Sequence, residues 1–119
     1  MHFKTHLVGE TDIAELFADS TVIHQEQDGI DLIGNVYYQG FDRVIIHEHQ
    51  LTPAFFDLKT KIAGEILQKF SNYRVRLVIV GDFTKFTSPS IRDFMAESNQ
   101  GKQVNFLPTV EAALHALSR

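Results

Sequence analysis

Residues 47–49 read His-Glu-His, and two imidazoles beside a carboxylate form a set that zinc or iron accepts. Alternate side chains of a strand share a face, so His47 and His49 can both reach one ion. A proper site needs three or four convergent ligands, however. His2, His6, His24 and His115 are scattered, and no third ligand is spaced to join the pair. The plainer alternative is a row of polar residues at the C-terminal rim of a strand, and no metal is assigned.

A second polar stretch, GDFTKFTSPS, occupies 81–90. Phe83 and Phe86, with Lys85 between them, are either an exposed anchor for a partner or side chains folded back over the core. Thr84, Thr87, Ser88 and Ser90 can cradle an anion, but Ser88 before Pro89 is better explained as a helix cap. The stretch lacks the glycines and the Gly-Lys-Ser/Thr ending of a phosphate-binding loop. Glu48, Asp57 and Asp82 are carboxylates near the same rim, and loop carboxylates are usually solvated. With no cysteine and no Gly-x-Ser-x-Gly elbow, no catalytic residue and no cofactor is assigned. Arg74 and Arg76 fall on one face of a strand's first half, the habit of a wet strand entrance. In NVYYQG at 35–40, Tyr37 fits a buried stripe and Tyr38 falls outside it.

The elements that must position these residues follow from periodicity. Phe3 to Val8 and Ile13 to Phe17 read as strands. Gly9-Glu10-Thr11-Asp12 between them signals the turn of an antiparallel hairpin. Within 19–39, Ile30, Ile33 and Tyr37 recur at helical spacing. Gly29 and Gly34 each weaken that helix by about 1 kcal/mol relative to alanine, and a retained glycine suggests close packing. Gly40 suits the helix end.

Arg43 to Glu48 has three apolar residues in succession, as a strand covered on both faces does. Thr52-Pro53 predicts the start of a helix running to Asn72, with Phe55, Ile62, Ala63, Ile66 and Phe70 on its apolar stripe. Val75 to Val80 is a further apolar strand. Ser88-Pro89 opens the next helix and Gly101 ends it. Val104 to Leu107 is a short strand, and Thr109 caps a final helix.

The predicted order is β-β-α-β-α-β-α-β-α: one α/β domain over 1–119, with a mixed, mostly parallel sheet of about five strands and four helices. A chain of 119 residues, 44% hydrophobic and 22% charged, suits one core. The net charge of −4 argues against nucleic acid as a partner. The longest apolar run, Leu77 to Val80, is too short for a bilayer, and the N-terminus lacks the apolar core of a signal peptide. A cytoplasmic location is the expectation.

The strand-to-helix passage from Arg43 to Phe70, RLVIVGDF at 76–83 and the ending VNFLPTVEAAL resemble, as an ordered set, the STAS domain of bacterial anti-sigma factor antagonists. DLIGNVYYQGFDRVIIHE with FFDLKTKIAGEILQKFSNYRVRLVIVGDF resembles more closely an uncharacterised bacterial family, domain of unknown function 4180. The STAS resemblance implies a phosphorylatable serine after an aspartate at the start of the second helix, where a phosphate meets free N–H groups. The matching pair here is Asp57-Leu58, so the aspartate is present and the serine is replaced.

The resemblance implies a non-enzymatic regulatory or protein-interaction module. Its partner would be another protein rather than a nucleic acid or a membrane, with self-association allowed. The docking residues expected are Thr52, Asp57, Lys59, Thr60, Phe83, Thr84, Lys85, Phe86 and Ser88. The alternative is an enzyme or small-molecule binder that uses His47, Glu48 and His49 as ligands or acid/base groups. A third possibility is phosphorylation of Thr52 or Thr60.

Overall fold

In the computed structural model, which describes residues 1–119, β1 (His2–Val8) and β2 (Thr11–Phe17) form the expected antiparallel hairpin. Gly9 closes it at φ 63°, in the left-handed region that favours glycine. The turn is tighter than its four-residue signal, because Thr11 and Asp12 already pair with Val8 and Leu7. The remaining elements are α1 (Glu26–Tyr38), β3 (Arg43–His47), α2 (Ile62–Asn72), β4 (Arg76–Val80), α3 (Pro89–Gln100), β5 (Val104–Leu107) and α4 (Val110–Leu117). Helices and strands thus follow the order read from the sequence.

The strands lie in the order β1-β2-β3-β4-β5, and β2 to β5 are mutually parallel. Each parallel strand is added on the same side of the last one. Crossovers share one hand, so α1, α2 and α3 are all delivered to one face. There Leu32, Ile33, Val36, Ile66, Phe70, Ile91 and Met95 pack on Ala14, Val44, Ile46, Leu77, Ile79 and Phe106. The second face holds α4, whose Ala113 and Leu117 cover Ile13, Ile45, Val78 and Val80. The apolar runs of β3 and β4 follow from burial on both sides. One helix is too narrow for a five-stranded face, and α4 packs mainly on β3, β4 and β5. Beyond Ile13, the part over β1 and the end of β2 has no helix packed on it.

Several expectations change. The buried stripe of α1 is Gly29, Leu32, Ile33 and Val36. Tyr37 is 46% exposed rather than buried, with its hydroxyl donating to the Tyr73 carbonyl. A Cβ at Gly29 would meet Ile66 Cγ1 at 3.3 Å, so this glycine does let α1 approach α2; Gly34 has open space around it and no packing role. The Ser88 hydroxyl caps no backbone N–H at the start of α3 and lies 3.1 Å from that of Ser90. Arg74 sits outside β4 at φ 57°. Arg76 is no wet entrance: its guanidinium donates to the carbonyls of Lys102, Ala116 and Arg119 and anchors the end of α4.

The largest change is at 53–72. Thr52 accepts from the Ala54 N–H as a cap, but it opens a 3-10 turn, Pro53–Phe56. A second 3-10 turn, Leu58–Thr60, is capped by Asp57, whose carboxylate accepts from the Lys59 N–H. Lys61 then adopts φ 66°, and α2 starts only at Ile62. Local caps broke one predicted helix into two turns and a shorter helix. No helix of the chain is long and apolar enough to cross a membrane.

Candidate functional site

Two groups of polar residues gather at the carboxyl ends of the strands. The first occupies the part of the second face that α4 leaves open. Glu15, only 5% exposed, bridges two imidazoles from the strands on either side. Its Oε1 lies 2.7 Å from His6 Nε2 and its Oε2 lies 2.8 Å from His47 Nε2. Lys4 stands directly across from Glu15 in the hairpin, yet makes no ion pair with it. Burial by itself pushes the Glu15 carboxyl up. The hydrogen bonds to His47 and His6, with the positive charge these rings can carry, outweigh it and hold the carboxyl below its ordinary range.

The same contacts fix His47. With Glu15 ionised, Nε2 carries the proton it donates. Gln50 Oε1 takes the His47 backbone N–H at 2.8 Å. Gln50, buried, reaches on to the Leu16 carbonyl at 3.0 Å and ties the end of β3 to β2.

The expected pairing of His47 with His49 on one strand face fails because β3 stops at His47. Glu48–Gln50 turn into a 3-10 helix, and strand alternation ends there. The two rings lie 5.9 Å apart, and His49 Nε2 is 3.2 Å from the Ala18 carbonyl. No group of three His, Asp or Glu side chains is placed as a metal would need. A cleft of about 370 Å³ lies beside the cluster, with His2, Phe17, Asp19 and His49 on its walls.

The second group joins the 53–60 turns to the 82–88 loop. Phe86 stacks on Phe56 with ring centres 4.3 Å apart, and Phe83 stands edge-on to Phe106 at 5.5 Å. Phe83 and Phe86 are thus folded back onto the core, and the exposed-anchor alternative does not hold. Lys85 forms an ion pair with Glu48 and lies over the Phe86 ring. Gly81 sits hard against Glu48: a Cβ there would be 2.6 Å from the Glu48 Cβ.

Each rim carboxylate has its own partner, so Glu48, Asp57 and Asp82 form no shared acid site. Asp82 accepts from the Thr84 hydroxyl at 2.6 Å and from the Thr84 N–H at 3.1 Å, which hold its carboxyl below the usual value. Thr60 donates its hydroxyl to the carbonyls of Ala54 and Asp57. A groove of about 370 Å³ runs between the two segments, past Glu48, Pro53, Phe56, Lys85 and Phe86.

The structure therefore joins the 53–60 turns to the 82–88 loop at Phe56, which meets Phe83 and Phe86, while Asp57, Lys59, Thr60, Thr84 and Lys85 are exposed on the two segments and Ser88 turns toward Ser90. Sequence reasoning missed Glu15, His6 and Phe56. A carboxylate between Ala14 and Leu16 in an apolar strand was the available signal for Glu15. The strand order also alters the rim's prospects. Parallel sheets open a ligand crevice where the order reverses, and here it runs monotonically from β1 to β5.

Residues 8–117 match the family model described as Domain of unknown function (DUF4180), and the chain belongs to that family. No curated protein and no solved structure matches it.

Proposed function

We propose that this member of the DUF4180 family is a non-enzymatic interaction module of the regulatory, STAS-like kind, working in the bacterial cytoplasm on another protein. The observation that carries this reading is the clasp between Phe56 and Phe86, stacked at 4.3 Å and reinforced by the Glu48–Lys85 ion pair. It fastens the 82–88 loop to the 53–60 turns. The exposed groups of both segments, Asp57, Lys59, Thr60, Thr84 and Lys85, are then held before any partner arrives. A surface ordered in advance avoids the entropy cost of ordering on binding. Its mixture of one carboxylate, two lysines and two hydroxyls suits a polar protein surface of mixed charge rather than a phosphate backbone.

The acid/base alternative has less support. His47 is held through Nε2 by Glu15, and Glu48 is spent on Lys85. The STAS resemblance puts its switch in the same corner, but Leu58 stands in the serine's place and α2 begins four residues later. Binding here therefore needs no phosphate on residue 58.

Isotope-labelled protein titrated with extract of its own cells tests the proposal. Amide signals of 52–60 and 82–88 should broaden or shift first. Selective change elsewhere, with these segments unaffected, would refute it.

A further inference from the structure

The two edges of the sheet are finished differently. At β5, side chains of α3 occupy the outward-facing backbone. Ser98 donates to the Val104 carbonyl at 2.6 Å; Asn99 donates to the Phe106 carbonyl at 3.0 Å and accepts the Phe106 N–H at 2.7 Å. At the other edge, β1 is seven residues long and bonds only to β2. Every second residue aims an N–H and a C=O away from the sheet, and nothing in the chain meets them. An edge of this length is a template for another strand.

We propose that this edge pairs antiparallel with β1 of a second copy of the chain, about a two-fold axis at Thr5, to join two sheets into one. The side chains select that partner and that register. Phe3 and Leu7 flank Thr5 at equal distance and point to the face that carries α1, α2 and α3, since Phe3 pairs with Leu16 of the core. Leu7 is 68% exposed. The axis at Thr5 sets each Leu7 against the Phe3 of the other copy, and does so twice, as a two-fold interface requires. On the opposite face Lys4 falls beside His6 of the second copy, with Glu15 across from Lys4 in its own hairpin. Centring on Lys4 instead would put two lysines face to face, and centring on His6 would set Leu7 against Thr5; both waste the apolar pair. One strand pair makes a small interface, so association belongs at the weak, concentration-dependent end. It uses elements separate from the rim surface, and either proposal can fail without the other.

The absence of cysteine allows a direct test. Opposed residues of an antiparallel pair have Cα atoms roughly 4.5–5.5 Å apart, within disulfide reach. Thr5→Cys should form a disulfide dimer under mild oxidation. Leu7→Cys, offset from its twin by roughly 13 Å along the strand, should not. Sedimentation of the unmodified chain should show a concentration-dependent dimer, and Leu7→Lys should weaken it by at least about tenfold. A chain that stays monomeric at millimolar concentration would overturn the proposal. So would Leu7→Cys crosslinking as fast as Thr5→Cys, which would mean another register or another surface. A β1 that stays unpaired with itself but gains hydrogen-exchange protection in cell extract would assign the edge to a foreign strand instead, and would equally overturn it.

Discussion

His47 Nε2 lies 2.8 Å from Glu15 Oε2, joining residues 32 positions apart on neighbouring parallel strands. The bond exists because α4 covers only part of its face, leaving a polar strip where a carboxylate, little exposed though it is, can find two imidazoles. It turns the most metal-like residue of the sequence into a strut between strands.

Removing that carboxylate should therefore cost stability. Glu15→Ala leaves His6 and His47 without their shared acceptor, at a cost of about 1–3 kcal/mol, the penalty of stranding half-buried donors. Urea denaturation at neutral pH checks this; a midpoint equal to the parent's would mean that water replaces the carboxylate fully.

The same group sets an acid dependence. Its folded pKa lies below the ordinary value near 4.5, because the hydrogen bonds and charge of His47 and His6 outweigh burial. Such a group contributes fully above the unfolded value, and its contribution is lost as pH falls through the lower folded value. The stability gap between the parent and Glu15→Gln should accordingly be level above about pH 5 and shrink as the pH drops below 4.5. Paired denaturation curves from pH 7 to about pH 3 measure it.

Two glycines should respond in opposite directions to alanine. Gly81→Ala places a Cβ against the Glu48 Cβ, not against a flexible tip, so backbone must move and about 1–3 kcal/mol should be lost. Gly64, inside α2 with nothing within 4 Å of a Cβ, should gain about 0.5–1 kcal/mol as alanine. Thermal melts of both variants decide it.

Phe86→Ala should loosen the clasp rather than unfold the domain, because Phe86 is only half-buried. Hydrogen exchange should quicken at 82–88 and at 53–60, while β3 and β4 keep their protection. Uniform loss of protection would show that the ring is part of the core and not a fastening.

Much of the fold was legible in the sequence because it rests on strong periodic signals. The apolar runs of β3 and β4, the Thr109 cap and the Gly40 stop each carry their own local cause. The predicted helix from Pro53 failed because a capped threonine and proline specify a helical first turn, not its continuation. Asp57 and Thr60 then satisfy the backbone locally and end it. The site was half legible. Loop residues 52–60 and 82–88 could be placed at one rim by topology, but which aromatics would meet depends on three-dimensional distance. The Glu15 cluster was invisible for the same reason: His6, Glu15 and His47 are adjacent only once β1, β2 and β3 have taken their register. Tyr37 misled because its spacing fits the apolar stripe, while its hydroxyl finds the Tyr73 carbonyl at the surface.

The rim formed by 52–60 and 82–88 as a docking surface is tested most directly by quantitative affinity capture from the cells of origin. The parent chain is compared with the charge-reversed Asp57→Arg/Lys59→Glu variant, with Tyr38→Ala on α1 as the control. The account predicts that a specific protein is retained by the parent and by the Tyr38→Ala control, and lost by the double variant. Equal retention of every captured protein by the double variant, with its fold intact, would contradict it.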